Sequence, residues 1–172
     1  HGVVHQDVEA AVAAGAIGQR SGEGCFVADV GDHGLGLAAG GYTGLGLLAG
    51  LFYRTLTHSR DFTGPTTLSL GHTHFLALGM LVFLVVLALE RLFGLSQSSW
   101  FRWFEPLCHA GLLITAGALI VRGILQVVAT DPTSMAFAGV AGLGHILLTA
   151  AVLVLFLALR SALTNGNPTL ER

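Results

Sequence analysis

Residues Leu68–Phe93 read LSLGHTHFLALGMLVFLVVLALERLF. No Asp, Glu, Lys or Arg stands between Asp61 and Glu90. A bilayer core about 30 Å thick is crossed by roughly 20 helical residues, and this run is long enough and apolar enough to do it. A lone segment in hydrocarbon has to satisfy its own backbone groups, so the run predicts an α-helix. Near one end it carries His72 and His74, two imidazoles that a purely lipid-facing helix has no use for.

Working outward, three more runs have the same character: Leu35 to Leu56, Trp100 to Val128 and Met135 to Leu159. The joints THSRDFTGPTT, GLSQSS and ATDPTS are short and rich in turn residues. Short joints make successive helices antiparallel, so the fold class is all-α: an integral membrane four-helix up-down-up-down bundle. The chain divides into a leader of unclear structure (1–34), a four-helix transmembrane domain (35–160) and a polar tail (161–172). Within the leader, Val8 to Ile17 is at most a short surface helix. Residues 1–34 lack the basic run followed by an apolar core that marks a secretory signal.

Composition agrees with that architecture. The chain of 172 residues is 53% hydrophobic and 10% charged, where water-soluble domains carry about a quarter charged residues. Its basic residues are all Arg, and the net charge of −2 supplies no positive field for nucleic acid. Cys25 and Cys108 form no CxxC or CxxCH motif, and Cys108, inside an apolar run, reads as a buried inert thiol.

Arginines near the span ends set the orientation. With the N-terminus cytoplasmic, Arg20, Arg91, Arg102, Arg160 and Arg172 lie inside, and Arg54, Arg60 and Arg122 lie towards the outer face. The expected location is a cell membrane, multi-pass, with both termini cytoplasmic. Trp100 and Trp103 then fall at the inner interface, where aromatic belts form. Glu90, Arg91, Arg102 and Glu105 flank that face and read as solvated anchors. Glycines four apart in the first span, Gly36/Gly40/Gly44 and Gly46/Gly50, read as places of close helix packing.

The chemistry lies with the histidines. His72 and His74 are about 200° apart around their helix, so they serve two different sides. In the fourth span Ala138, Gly142, His145 and Thr149 share one small, polar face, suited to packing inside the bundle. Thr115, Arg122 and Gln126 lie close together around the third. The antiparallel arrangement brings His72, His74, His145, Arg122, Gln126 and Arg54 to one depth in the outer half of the membrane. His109 lies nearer the inner side, off the Arg122 face, where a helix-to-helix hydrogen bond is its simplest role. Imidazoles are common axial ligands of haem iron, and guanidinium groups pair with carboxylates such as haem propionates. The pattern therefore predicts a non-covalent haem b, with His72, His74 and His145 as the candidate ligands and Arg54, Arg122 and Gln126 around them. His72 and His74 are the leading metal ligands; copper is not expected. Without haem, Arg122 needs Asp131 or backbone carbonyls as partners.

The segments GLLAGLFYR (46–54), FTGPTTLSLGHTHFLALG (62–79), LIVRGILQV (119–127) and GLGHILL (142–148) resemble a family of small four-span bacterial membrane proteins of unknown function. More distantly, His72-Thr73-His74 on the second helix of a four-helix unit is similar to one such unit in the large subunit of haem–copper oxidases. There a His-x-His element ligates two haems on opposite sides. That resemblance implies a homotrimer in which His72 of one protomer and His74 of the next share a haem. The competing arrangement holds haem inside one bundle, by His145 and one of the pair. The oxidase's three-histidine copper site and its His-linked Tyr have no counterpart here, so oxygen reduction is not implied.

The leading functional expectation is a bis-histidine membrane haem protein for electron transfer or for haem or gas sensing, its redox partner not given by the sequence. Alternatives are a metal-ion or small-solute transporter or channel, and a structural membrane subunit without cofactor.

Overall fold

The computed structural model describes residues 33–128 and 135–165. Residues 1–32 of the leader, Cys25 among them, Asp131 and the end of the tail lie outside the described residues. Four helices are long and apolar enough to cross a membrane: α1 (His33–Ser59), α2 (Leu68–Phe93), α3 (Phe101–Val128) and α4 (Met135–Asn165). The expected spans are all present. α1 and α4 run on past their expected ends at Leu56 and Leu159, because a helix continues into the polar boundary until a stop signal ends it.

Those stops are local. At the end of α1 the chain turns with Asp61 in the left-handed region (φ 49°). Gly94, at φ 62° and ψ 50°, closes α2 by returning its N–H to the Glu90 carbonyl at 2.8 Å. A left-handed residue after a helix is an ordinary end, and glycine takes it without steric cost. Within α2, Phe75–Leu81 widens into π-helical turns directly after His74. Such turns in a helix often accompany functional sites.

Packing in lipid has little hydrophobic drive, so close approach and dispersion hold the helices together. A Cβ on Gly71 would lie 2.5 Å from Ile120, and one on Gly123 would collide with the Leu68 backbone; these two glycines seat α2 on α3. A Cβ on Gly111 would come within 2.8 Å of the Leu148 nitrogen, and one on Gly144 would strike Thr115 Oγ1, so α3 and α4 cross almost backbone to backbone. Gly46 and Gly50 receive Leu76 and His72 from α2. The other stripe packs on nothing among the described residues: around Gly36, Gly40 and Gly44 none of them lies within 4 Å of an added Cβ.

Below the glycine level an aromatic core fills the bundle. Tyr42, Phe75, Phe83, Phe101, Phe104 and Leu112 are all buried, with Cys108 among them as expected. The outer surface is apolar, with Leu47, Leu51, Ile146 and Phe156 each more than 60% exposed, as lipid contact requires. Trp100 and Trp103 are exposed at the head of α3, and the Arg102 guanidinium lies 5.6 Å from the Trp103 ring.

Candidate functional site

The loop before α2 is nailed to α3 by polar contacts. Thr67 donates its backbone N–H to Gln126 Oε1 at 2.8 Å and its hydroxyl to the Leu119 carbonyl at 3.0 Å. Thr66 Oγ1 donates to the Gly123 carbonyl at 3.1 Å. These bonds fix the height of the His72–His74 turn against α3. They also give Gln126 its partner, at the head of α2.

From there the two histidines diverge, as their spacing requires. His72 turns to α1, where its side chain stands 3.7 Å from the Cβ position of Gly50, and its Nδ1 is buried without a hydrogen-bond partner. His74 turns to the other side and meets His145 of α4, with ring centroids 6.4 Å apart and ring planes at 86°. His74 Nδ1 lies 2.8 Å from the Leu70 carbonyl and His145 Nδ1 lies 2.7 Å from the Ala141 carbonyl. A carbonyl only accepts, so in both rings Nδ1 carries the proton. Each Nε2 is left as a lone-pair donor. Metal-bound histidines are commonly oriented by this same bond to a carbonyl.

Gly50 opposite His72, Leu68 opposite Gly123 and Thr67 opposite Gln126 set the depths of the remaining candidates. The three histidines share one level. Arg54, one turn beyond Gly50, and Arg122, beside Gly123, lie about one turn further towards the same end. They are on different sides. Arg54 is exposed on the α1 side, next to a cavity of about 660 Å³ lined with Thr57, His58 and Asp61. Arg122 shares the α4-facing side of α3 with Thr115 and Gly111, and its Nε is buried without a partner.

Two expectations are corrected. The Ala138/Gly142/His145/Thr149 face does not pack inside the bundle: all four residues are exposed, and nothing lies within 4 Å of a Cβ on Gly139 or Gly142. The reason is Gly144. The close crossing with α3 goes through it, so the stripe is turned by about 100° or more away from that seam. Glu90 is not a solvated anchor. It is 3% exposed, accepts the Ser96 N–H on Oε2 at 2.8 Å, and keeps Oε1 buried without a partner. A carboxylate that braces the turn after Gly94 has to reach inward to do so.

One polar pair escaped the sequence reading. Tyr42 Oη lies 2.5 Å from His109 Nδ1, and Tyr42 is 5% exposed. The Tyr42 ring stacks on Phe75 and His109, with centroids 6.1 and 5.5 Å away, and Phe83 lies 4.9 Å from the His109 ring. His109 thus makes the helix-to-helix bond expected of it. The one available signal for its partner was a tyrosine inside the first span, a position where a buried hydroxyl needs an acceptor.

Among the described residues no group of three or more His, Cys, Asp or Glu is arranged to hold a metal ion. The arrangement is that of a small multi-pass membrane protein with intramembrane imidazoles. Residues 35–162 match the family described as Protein of unknown function (DUF2871), and the chain belongs to that family. No curated protein and no solved structure matches it.

Proposed function

We propose that this chain is a membrane haem b protein whose iron is held by His74 and His145 of the same chain. The observation that carries the reading is the relation of those two rings. Iron–imidazole bonds of about 2 Å, as for other first-row metals, put two axial ring centroids roughly 6 Å apart. The pair stands at 6.4 Å, with both Nδ1 atoms already engaged and both Nε2 atoms free.

Three further features support it. Two protein ligands suffice for haem iron, whose other four positions belong to the porphyrin, whereas a bare zinc site takes three or four ligands from protein. Open space beside Gly139 and Gly142 leaves room for a flat macrocycle against α4. Arg122, about one turn outward on the α4-facing side, has a buried Nε in need of an anion, and a propionate supplies one. The observed approach of His74 to His145 favours this within-chain site over a haem shared by His72 and His74 of neighbouring protomers in a trimer.

The chemistry such a group supplies is one-electron transfer. The protein's part would be to hold the iron through His74 and His145, to keep the ring in an apolar setting, and to place Arg122 where a positive charge favours the reduced state. The test is the visible spectrum of the purified chain. A sharp Soret band with resolved α and β bands on reduction, lost in His74→Ala and in His145→Ala, is expected. A colourless protein with stoichiometric zinc or copper overturns the proposal in favour of metal-ion transport.

A further inference from the structure

Arg54 takes no part in the histidine site, and it lines the cavity of about 660 Å³ at the end of α1. That volume falls within the roughly 300–1,000 Å³ of pockets that take small molecules. The turn that ends the helix makes the cavity. Asp61, at φ 49°, reverses the chain; its N–H donates to the His58 carbonyl at 3.3 Å, and the Phe62 N–H donates to the Thr57 carbonyl at 3.0 Å. These bonds fold Asp61 and Phe62 back beside the last turns of α1.

The lining changes character along the helix. Leu51 is at the deep end, Arg54 is about 4.5 Å further along the axis, and His58 about 6 Å beyond that. Asp61 lies past the helix end. Arg54 and Asp61 line the same cavity, yet among the described residues neither side chain has an ion pair or a hydrogen bond, with the other or with any third group. The nearby hydroxyls are already committed as donors: Thr57 to the Tyr53 carbonyl at 2.9 Å and Ser59 to the Leu56 carbonyl at 3.0 Å. Their oxygens are left to accept. Donors therefore stand at the level of Arg54 and His58, and acceptors stand beyond, at Thr57, Ser59 and Asp61.

We infer that this cavity binds the headgroup of an aminophospholipid of the phosphatidylethanolamine kind. The inference does not rest on the haem reading. The phosphate sits on the Arg54 guanidinium, which grips such a group through two parallel N–H bonds, with an N–H of His58 beside it. The ammonium has three donors and no acceptor, and it meets Asp61 with the Thr57 and Ser59 oxygens. Its acyl chains run down past Leu51 and Leu47, which are 66% and 64% exposed and one turn apart on the lipid-facing surface. A phosphatidylglycerol satisfies Arg54 but brings no cation to Asp61. Free phosphate satisfies Arg54, is repelled by Asp61 and leaves the apolar floor at Leu51 uncovered.

The experiment offers delipidated protein equal amounts of phosphatidylethanolamine and phosphatidylglycerol with matched acyl chains, and compares the adducts by native mass spectrometry. The ethanolamine adduct is expected to exceed the glycerol adduct at least fivefold. Asp61→Asn is expected to bring the two within twofold of each other, and Arg54→Gln to lower both at least tenfold. Both residues are exposed, so the variants are expected to keep the wild-type melting temperature in detergent. Equal adducts in the wild type, a preference that survives Asp61→Asn, or full adducts in Arg54→Gln overturn the inference. A second arm separates lipid from soluble phosphate compounds. Glycerophosphoethanolamine, which has both charges and no acyl chains, and inorganic phosphate are each expected to leave the lipid adduct in place at equal concentration. Displacement by either overturns the lipid as occupant.

Discussion

His74 and His145 sit 6.4 Å apart, centroid to centroid, on two helices that are not sequence neighbours, and each imidazole is pinned by its own helix through the carbonyl four residues earlier. Neither ring depends on the other for its orientation.

His72 separates the within-chain site from the shared one. It packs on Gly50 of its own chain and does not face His145. His72→Ala is expected to keep full haem by pyridine haemochrome assay, whereas His74→Ala and His145→Ala lose bis-histidine binding. Loss in the His72 variant, with recovery when it is co-expressed with His74→Ala, would restore the trimer with haems between protomers.

Arg122→Leu tests the propionate. Removing a positive charge near the iron disfavours the ferrous state, so the midpoint potential is expected to fall and haem to dissociate more easily. Potentiometric titration checks this, and an unchanged potential with unchanged haem content leaves Arg122 a structural residue.

Gln126 serves α2 rather than a cofactor by its visible bonds. Gln126→Ala strips the acceptor from the Thr67 N–H, while the hydroxyl keeps the Leu119 carbonyl, a loss of about 1–3 kcal/mol if the N–H is left buried and unpaired. A lower melting temperature in detergent with unaltered haem stoichiometry is the expected result; selective haem loss at unchanged stability points instead to direct contact with the ring.

The arginine bias predicts an orientation with both termini cytoplasmic. A cysteine placed at Thr63, between α1 and α2, is expected to react with an impermeant maleimide in intact cells if both termini are cytoplasmic. Reaction only after lysis reverses the orientation and moves the histidine level to the inner half of the membrane.

The four spans were legible because hydrocarbon imposes one requirement on every residue of a span, and Leu68–Phe93 meets it plainly. The divergence of His72 and His74 was legible too, since helix geometry alone sets it. The partner of His74 was legible only as an alternative, since the sequence offered His145 with either member of the pair. Periodicity puts His145 on a small-residue face, but which face of α4 meets α3 depends on the crossing at Gly144, a tertiary choice between neighbouring lines of small residues. Glu90 was misread for a related reason: charge next to a span end suggests water, and only the folded turn after Gly94 shows its carboxylate directed inward. Tyr42–His109 joins residues 67 apart in the chain, and no local pattern couples them.

Both imidazole-bearing turns are spelled the same way: glycine, then histidine, at Gly71–His72 and at Gly144–His145. In each case the glycine lies against α3: a Cβ on Gly71 would come within 2.5 Å of Ile120, and one on Gly144 would strike Thr115 Oγ1. In α4 the contact that decides how the helix is seated is thereby covalently next to His145. A slip of α4 by one residue along its seam would bring a different backbone atom against Thr115 and swing His145 by about 100°. Seating and aim are therefore inherited together, and a substitution at Gly144 blinds the histidine beside it without altering a single atom of the imidazole.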